Sequence, residues 1–409
     1  MSERQGFVIL GAGQAAARAA KAMRSAGFEG AVTIIGAEPH APYERPMLSK
    51  ALLLAPETPV PFVFPPQIYA DLDVEIRTGC AAVAIDRRAR TVSLADGSTV
   101  PYDRLMIATG GRLRRLSIPD VPSDAILYLR DLDECRVLEA KLRGKPSLVV
   151  IGGGFIGLEV AASAAMLGCR VTVIEAADRL LPRLGSPEAS AAVLAHHRAL
   201  GIDIRLNAGV SRGDDGVLFL NDGSTVDAQV IVAGIGVVPE TALAEDAGLA
   251  VDDGVLVDEF GMTSDPLIFA AGDVTRHYHP LLDRRIRLES WQNANMQAEA
   301  AGRSMAGVRT PYREIPWLWS DQGDLNLQMA GAPAAVDRTV VRGRPDGAEG
   351  ASIFQFDGQR LVGAVTLNRG KDMTMIRRLL SQNALALPID QLADETVPLR
   401  GFMPARVAA

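Results

Sequence analysis

Two glycine clusters carry the clearest chemistry in the chain. Gly11-Ala12-Gly13-Gln14-Ala15-Ala16 follows the apolar run Phe7-Val8-Ile9-Leu10, and Gly152-Gly153-Gly154-Phe155-Ile156-Gly157 follows Leu148-Val149-Val150-Ile151. An alanine-rich helical stretch comes next in each copy, to Ser25 and to Leu167, and then a second apolar run, Val32-Thr33-Ile34-Ile35 or Val171-Thr172-Val173-Ile174. A strand that turns sharply into a helix points backbone N–H groups and the positive end of the helix dipole at one spot, which suits a phosphate. The first two glycines allow the turn and close approach to a pyrophosphate, and the third position, Ala16 or Gly157, lets the helix pack tightly on the strand. Two such units predict two dinucleotide sites.

The acidic partner of each turn differs. Glu175 closes the second strand of the second unit, placed for a ribose 2′-hydroxyl, and a carboxylate there repels a 2′-phosphate. Ala176-Ala177 supplies no compensating base, so NADH is expected over NADPH, with Arg179 or Arg183 positioned to soften the preference. In the first unit the equivalent position is Gly36, and Glu38, two residues on, is the carboxylate within reach. Gly234-Ile235-Gly236 ends the apolar run Val230–Ala233 and is assigned to the nucleotide side.

These residues need a scaffold, and the sequence repeats one. Asp96-Gly97-Ser98-Thr99-Val100 and Asp222-Gly223-Ser224-Thr225-Val226 are the same turn, a hairpin signal. Each leads to a buried strand, Leu105–Ala108 or Val230–Ala233. Continuous apolar runs are the mark of parallel strands buried on both faces. The expected architecture is therefore α/β, with two Rossmann-like dinucleotide-binding domains, one inserted in the other. Gly254–Asp258 and Leu267–Asp273 read as a return to the first sheet, followed by a helix from about Trp291 to Met305. From Pro316 the pattern shortens to strands at Leu325–Met329, Thr339–Arg342, Ser352–Phe356 and Leu361–Leu367, then a helix from about Met373 to Gln382, a separate α+β domain. The domain expectation is 1–113 with 241–313, then 114–240, then 314–409.

Composition narrows the function classes. A net charge of −7 argues against nucleic acid, which needs a basic face. No apolar stretch is long enough for a membrane span, and the N-terminus lacks a signal-peptide core, so a cytoplasmic protein is expected. Cys80, Cys135 and Cys169 lie in or beside apolar segments and read as buried reduced thiols. His196, His197, His277 and His279 lack metal-ligand spacing and read as structural, so no metal is expected.

At Pro42-Tyr43-Glu44-Arg45-Pro46-Met47-Leu48-Ser49-Lys50 the chain resembles the FAD-dependent ferredoxin reductases of bacterial oxygenase systems, with Met47 where a second proline is usual. Further matching blocks are Gly152–Glu159, Gly234–Pro239, Phe269–Val274, Glu289–Gln297, Trp317–Gln322 and Gly363–Asn368, so the resemblance spans the chain. It looks closest to reductase components of aromatic-ring dioxygenases, with the putidaredoxin-reductase type next. The resemblance implies a glutathione-reductase-like fold in which the first unit binds FAD and the second NADH. It assigns Gly11, Gly13, Ala15, Ala16, Glu38, Arg45, Lys50, Thr109, Asp273, Trp291 and Trp319 to FAD. NADH is assigned Gly152, Gly154, Ile156, Gly157, Glu175, Arg183, Gly234, Ile235 and Gly236. Arg45 is expected at the pyrophosphate, and Asp273 at the ribityl chain or as a helix N-cap. Lys50 and Glu159 form the implied catalytic pair at the flavin N5, where a cation favours the anionic reduced flavin. Trp291 and Trp319 are read either as covers for the flavin or as packing.

The related disulphide reductases need a CxxxxC pair at the flavin, and here the segment Pro42–Lys50 holds no cysteine. Electrons are therefore expected to leave the flavin directly, one at a time, to a [2Fe–2S] ferredoxin feeding an aromatic-ring dioxygenase or a haem monooxygenase. Arg309, Arg313, Arg342 and Arg344 are candidate docking cations. A rubredoxin or monodehydroascorbate-type reductase is the alternative enzyme, an NADH-sensing flavoprotein the alternative class, and monomer and homodimer both stay open.

Overall fold

The computed structural model describes residues 5–382 and 387–402. They divide into two compact units, one drawn from the residues up to Glu44, Val60–Arg112 and Val237–Glu314, the other from Arg45–Pro59, Leu113–Gly236 and the residues from Ile315 on.

In the first unit, strand Gly6–Leu10 is central to a five-stranded parallel sheet ordered Ile268–Ala270, Arg104–Ile107, Gly6–Leu10, Ala31–Ile35, Val74–Arg77. Its side chains alternate between two cores. Phe7 and Ile9 pack with alanines of helices Gln14–Ser25 and Trp291–Met305, whereas Val8 and Leu10 pack with Ile85, Val92, Leu94 and Val255. Burial on both faces is why the run is continuously apolar. The two helices approach closely because small residues line them: a Cβ on Gly302 would stand 2.6 Å from the Ala19 carbonyl oxygen.

The second unit repeats the arrangement strand for strand, in the order Asp203–Arg205, Arg170–Ile174, Ser147–Ile151, Val230–Ala233, Ile126–Leu127. Both Asp-Gly turns close hairpins, with Gly97 and Gly223 each at φ 85°. Each hairpin carries a third antiparallel strand, Ala82–Asp86 or Val210–Asp214, whose exposed residues hid it from the sequence pattern. In the same unit, a five-stranded antiparallel sheet runs Trp317–Gln322, Leu325–Gly331, Arg360–Leu367, Ala351–Asp357, Arg338–Gly343. Helix Gly370–Ser381 lays Met373, Ile376 and Leu379 on Phe354, Phe356 and Ala364.

Four expectations need correction. Val255–Val257 does not return to the first sheet; it pairs with Thr275–His279, where Gly254 at φ 130° leaves only 2.9 Å between an added Cβ and the Arg276 nitrogen. Asp273 caps no helix, because a strand follows it and Ser290 caps helix Trp291–Met305. Cys80 is only half-buried, since it follows the Gly79 turn at the sheet's margin, although Cys135 and Cys169 are buried. Arg342 is 5% exposed and donates to the carbonyls of Leu392, Asp394, Glu395 and Val397, so it braces the last segment and is no docking cation. Among the described residues no helix is long and apolar enough to cross a membrane.

Candidate active site

The first glycine turn is built by backbone contact. Gly11 sits at φ 107°, and a Cβ there would lie 2.2 Å from the Ala108 oxygen. Gly13 is the N-cap of helix Gln14–Ser25, whose first turn holds no acidic residue and whose cap makes no side-chain hydrogen bond. An added Cβ at Gly13 would meet no protein atom within 4 Å, so nothing in the chain itself demands glycine there. The open space and the uncapped helix start fit a pyrophosphate lying against the backbone. Ala15 and Ala16 are buried under the turn.

The missing carboxylate in this unit has a steric cause. A Cβ on Gly36 would stand 2.3 Å from the Ala12 Cβ. The second unit makes the opposite choice, with glycine at 153 and a side chain at 175: a Cβ on Gly153 would fall 2.6 Å from Leu180 Cδ2 and 3.1 Å from a Glu175 oxygen. In the first unit a Cβ at both facing positions would collide, and in the second Gly153 leaves room beside the Glu175 carboxylate. In the first unit Glu38 instead accepts from the Tyr43 hydroxyl at 2.7 Å.

Other assigned residues of the first unit are held by partners within it. Thr109 Oγ1 donates to the Glu240 carbonyl at 2.8 Å, and Glu240 N–H donates to Gly110 at 2.9 Å. The Gly272-Asp273 turn is held by buried Gln297, whose Oε1 accepts from Gly272 N–H at 2.8 Å and which also bonds Thr275 Oγ1. Trp291 opens its helix and donates its indole N–H to Glu44. Gln14 donates to Asn295 at 2.8 Å.

In the second unit Gly152 takes φ 109°, and its Cβ would lie 2.6 Å from the Gly234 oxygen; one on Gly157 would lie 2.2 Å from the Gly152 oxygen. These close approaches lock strand, helix and the Gly234-Ile235-Gly236 segment together. Gly154 is the uncapped N-cap, and its nearest neighbour for a Cβ is 3.8 Å away. Ile156, one residue inside the helix, is 48% exposed. The Glu175 carboxylate accepts from the N–H of Gly153 at 2.6 Å and of Ala177 at 2.7 Å, which fixes its orientation beside the turn. Arg183 stands on the single turn Pro182–Leu184.

The same unit holds the implied ion pair. Lys50 Nζ lies 2.6 Å from Glu159 Oε2, with Glu159 only 3% exposed. Ser49 donates its hydroxyl to the same oxygen, Ser320 donates to Oε1 at 2.6 Å, and Ser163 ties down the Ser49 carbonyl at 2.7 Å. Arg45 Nη1 donates to the Arg130 carbonyl at 2.6 Å. Trp319 stacks on Trp317 at 5.2 Å between ring centres. Sequence reasoning singled out neither Ser49, Ser320 nor Gln297, although each is a polar residue inside a block that carries the resemblance.

Cys135 donates its thiol to the Leu48 carbonyl at 3.3 Å, and burial pushes it up to about 11. Burial likewise raises Cys169. Neither is poised as a thiolate at neutral pH.

Comparison with known proteins extends this picture over the whole chain. Residues 6–298 match the pyridine nucleotide-disulphide oxidoreductase family, and residues 317–403 match the reductase C-terminal family. The ferredoxin–NAD(+) reductase component of the anthranilate 1,2-dioxygenase system of Burkholderia cepacia is 43% identical, over 97% of this chain and 99% of the relative. Putidaredoxin reductase of Pseudomonas putida is 35% identical over 100% and 99%. The solved covalent complex of putidaredoxin reductase with putidaredoxin superposes with a TM-score of 0.93, at 35% identity over 97% of this chain and 98% of that one.

Proposed function

The chain belongs to the pyridine nucleotide-disulphide oxidoreductase family, and from that premise we propose that it is an NADH-dependent ferredoxin reductase. It takes a hydride from NADH onto FAD and passes single electrons to a [2Fe–2S] ferredoxin serving an oxygenase. The observation that carries this reading is likeness from end to end, C-terminal module included, to ferredoxin–NAD(+) reductase components. The relatives' names favour an aromatic-ring dioxygenase downstream, with a haem monooxygenase second. Three free thiols suit a cytoplasmic setting.

FAD, when bound, supplies the conversion of a two-electron hydride into one-electron steps. We assign its binding to residues 1–113 and 241–313, NADH to 114–240, and the C-terminal module to 314–409. The N–H groups of the first turn bind the flavin pyrophosphate, helped by the Arg45 charge, and Glu38, Thr109 and Asp273 supply polar contacts. The second turn binds the NADH pyrophosphate, with Arg183 nearby and Gly234, Ile235 and Gly236 toward the nicotinamide. Glu175 accepts from the ribose diol and repels a 2′-phosphate. Lys50 places a positive charge for the reduced flavin, and Glu159 holds that charge. Trp291 and Trp319 exclude water.

Anaerobic stopped-flow mixing tests the reading. NADH is expected to bleach the flavin fast, NADPH at least about tenfold more slowly at equal concentration, as one repelled charge implies. A [2Fe–2S] ferredoxin added next should be reduced. Fast bleaching with no ferredoxin reduction would remove the acceptor assignment, and slow bleaching by both nucleotides would remove the enzyme.

A further inference from the structure

The Lys50–Glu159 pair does not stand alone. Glu159 Oε1 accepts from Ser320 Oγ at 2.6 Å, Ser320 Oγ lies 3.0 Å from Gln322 Nε2, and Gln322 Oε1 lies 2.8 Å from His197 Nε2. Ser320, Gln322 and His197 are each fully buried. The direction of every bond follows from the end of the chain. An ionised carboxylate only accepts, so Ser320 donates to it. Ser320 then accepts from the Gln322 amide N–H, and the Gln322 oxygen accepts from His197 Nε2–H. His197 is thereby the neutral Nε2–H tautomer, consistent with burial lowering it to about 4 and with an Nδ1 that has no partner. His196 Nε2 bonds the Gln322 backbone carbonyl at 2.7 Å and so fixes the strand that carries both polar side chains.

This arrangement has a cost that packing alone does not explain. Strand Trp317–Gln322 buries Ser320 and Gln322 and turns its tryptophans, with Asp321, to the more open face. Buried polar groups are tolerated where every donor finds an acceptor, and a connected chain polarises in one sense. Here that sense runs towards Glu159.

We propose that Ser320, backed by Gln322 and His197, is a positioning residue that sets the charge Lys50 presents to the flavin. The hydroxyl draws off part of the carboxylate's charge and stops it rotating, so Glu159 cancels less of the ammonium and holds it in one place. The inference rests on the reading that Lys50 serves the reduced flavin.

The test is spectroelectrochemical titration of the bound flavin in the holoenzyme, comparing wild type with Ser320→Ala, Ser320→Thr and Lys50→Met. Ser320→Ala should lose about tenfold in preference for the reduced over the oxidised flavin, or about 30 mV for a two-electron couple. Ser320→Thr, which keeps the hydroxyl, should restore the wild-type potential, and Lys50→Met should shift it further down than Ser320→Ala does. A lowered Lys50→Met with Ser320→Ala at the wild-type potential would overturn the positioning role alone. Lys50→Met at the wild-type potential would overturn the flavin role of Lys50, and the positioning role with it. Flavin content and the far-ultraviolet spectrum confirm that each variant is folded, and a lowered potential in both Ala and Thr variants would point to disturbed packing and count against the proposal.

Discussion

His277, in the first unit, is a buried polar side chain. Its ring packs between His279 and Tyr312, at 6.0 and 5.2 Å, and neither ring nitrogen has a hydrogen-bond partner. Burial, with repulsion from His279 and Arg285, lowers it to about 3, and burial lowers His279 as well. In both the folded state disfavours the proton, so the unfolded chain binds more protons between the ordinary histidine value of about 6.5 and the depressed folded one. Stability contributed by the neutral ring is therefore full above that upper value and falls as pH drops through the window. His197 acts in the same sense. Each such ring steepens the loss by at most about 1.4 kcal/mol per pH unit. His277→Phe, which keeps an aromatic ring and removes the titration, should flatten the fall of the thermal midpoint between pH 6.5 and 4.5 by a few degrees. An unchanged slope would show that the acid limb belongs to other groups.

At the scale of elements, the two glycine turns separate what the chain needs from what a ligand needs. Gly11, Gly152 and Gly157 are required by backbone oxygens 2.2–2.6 Å from an added Cβ, whereas Gly13 and Gly154 have ordinary φ values and no such neighbour. Alanine at 13 or 154 should therefore leave the fold intact and act only on the bound nucleotide. We expect Gly13→Ala to purify with normal secondary structure and much reduced flavin, and Gly154→Ala to keep its flavin while the KM for NADH rises about tenfold or more. Loss of folding in either variant would show that the glycine serves the chain. The turns were readable because a buried parallel strand, a glycine cluster and an alanine-rich helix are all local signals. Strand Trp317–Gln322 was not, because its buried side is Ser320 and Gln322 and shows no apolar alternation. Nor was the partner of Val255–Val257, strand Thr275–His279, where Gly254 lies close against the Arg276 backbone. In the candidate site, Glu175 could be read from its place at a strand's end. The contacts of Glu159 with Ser49 and Ser320 join positions more than a hundred residues apart, and nothing local announces them.

Over the whole molecule, the repeated β-α-β unit underlies the two proposed nucleotide sites, and the proposed route of electrons out of the flavin uses no thiol pair. The related disulphide reductases need a CxxxxC pair at the flavin; this chain has three cysteines, all free. Cys135 and Cys169 are buried, with thiols bonded to the carbonyls of Leu48 and Leu142, and both are raised by burial, so neither is ready to attack a disulphide. Cys80 is half-buried but has no cysteine partner. If electrons pass straight from flavin to ferredoxin, a chain with alanine at 80, 135 and 169 should reduce ferredoxin at a rate within about twofold to threefold of wild type. Some loss of stability is expected, because a buried thiol at 135 leaves a small cavity, of order 1 kcal/mol. Those two effects are separable: rates are measured per bound flavin, well below the thermal midpoint. A fall of tenfold or more in ferredoxin reduction, with flavin content and NADH bleaching intact, would mean that a thiol lies on the electron route after all.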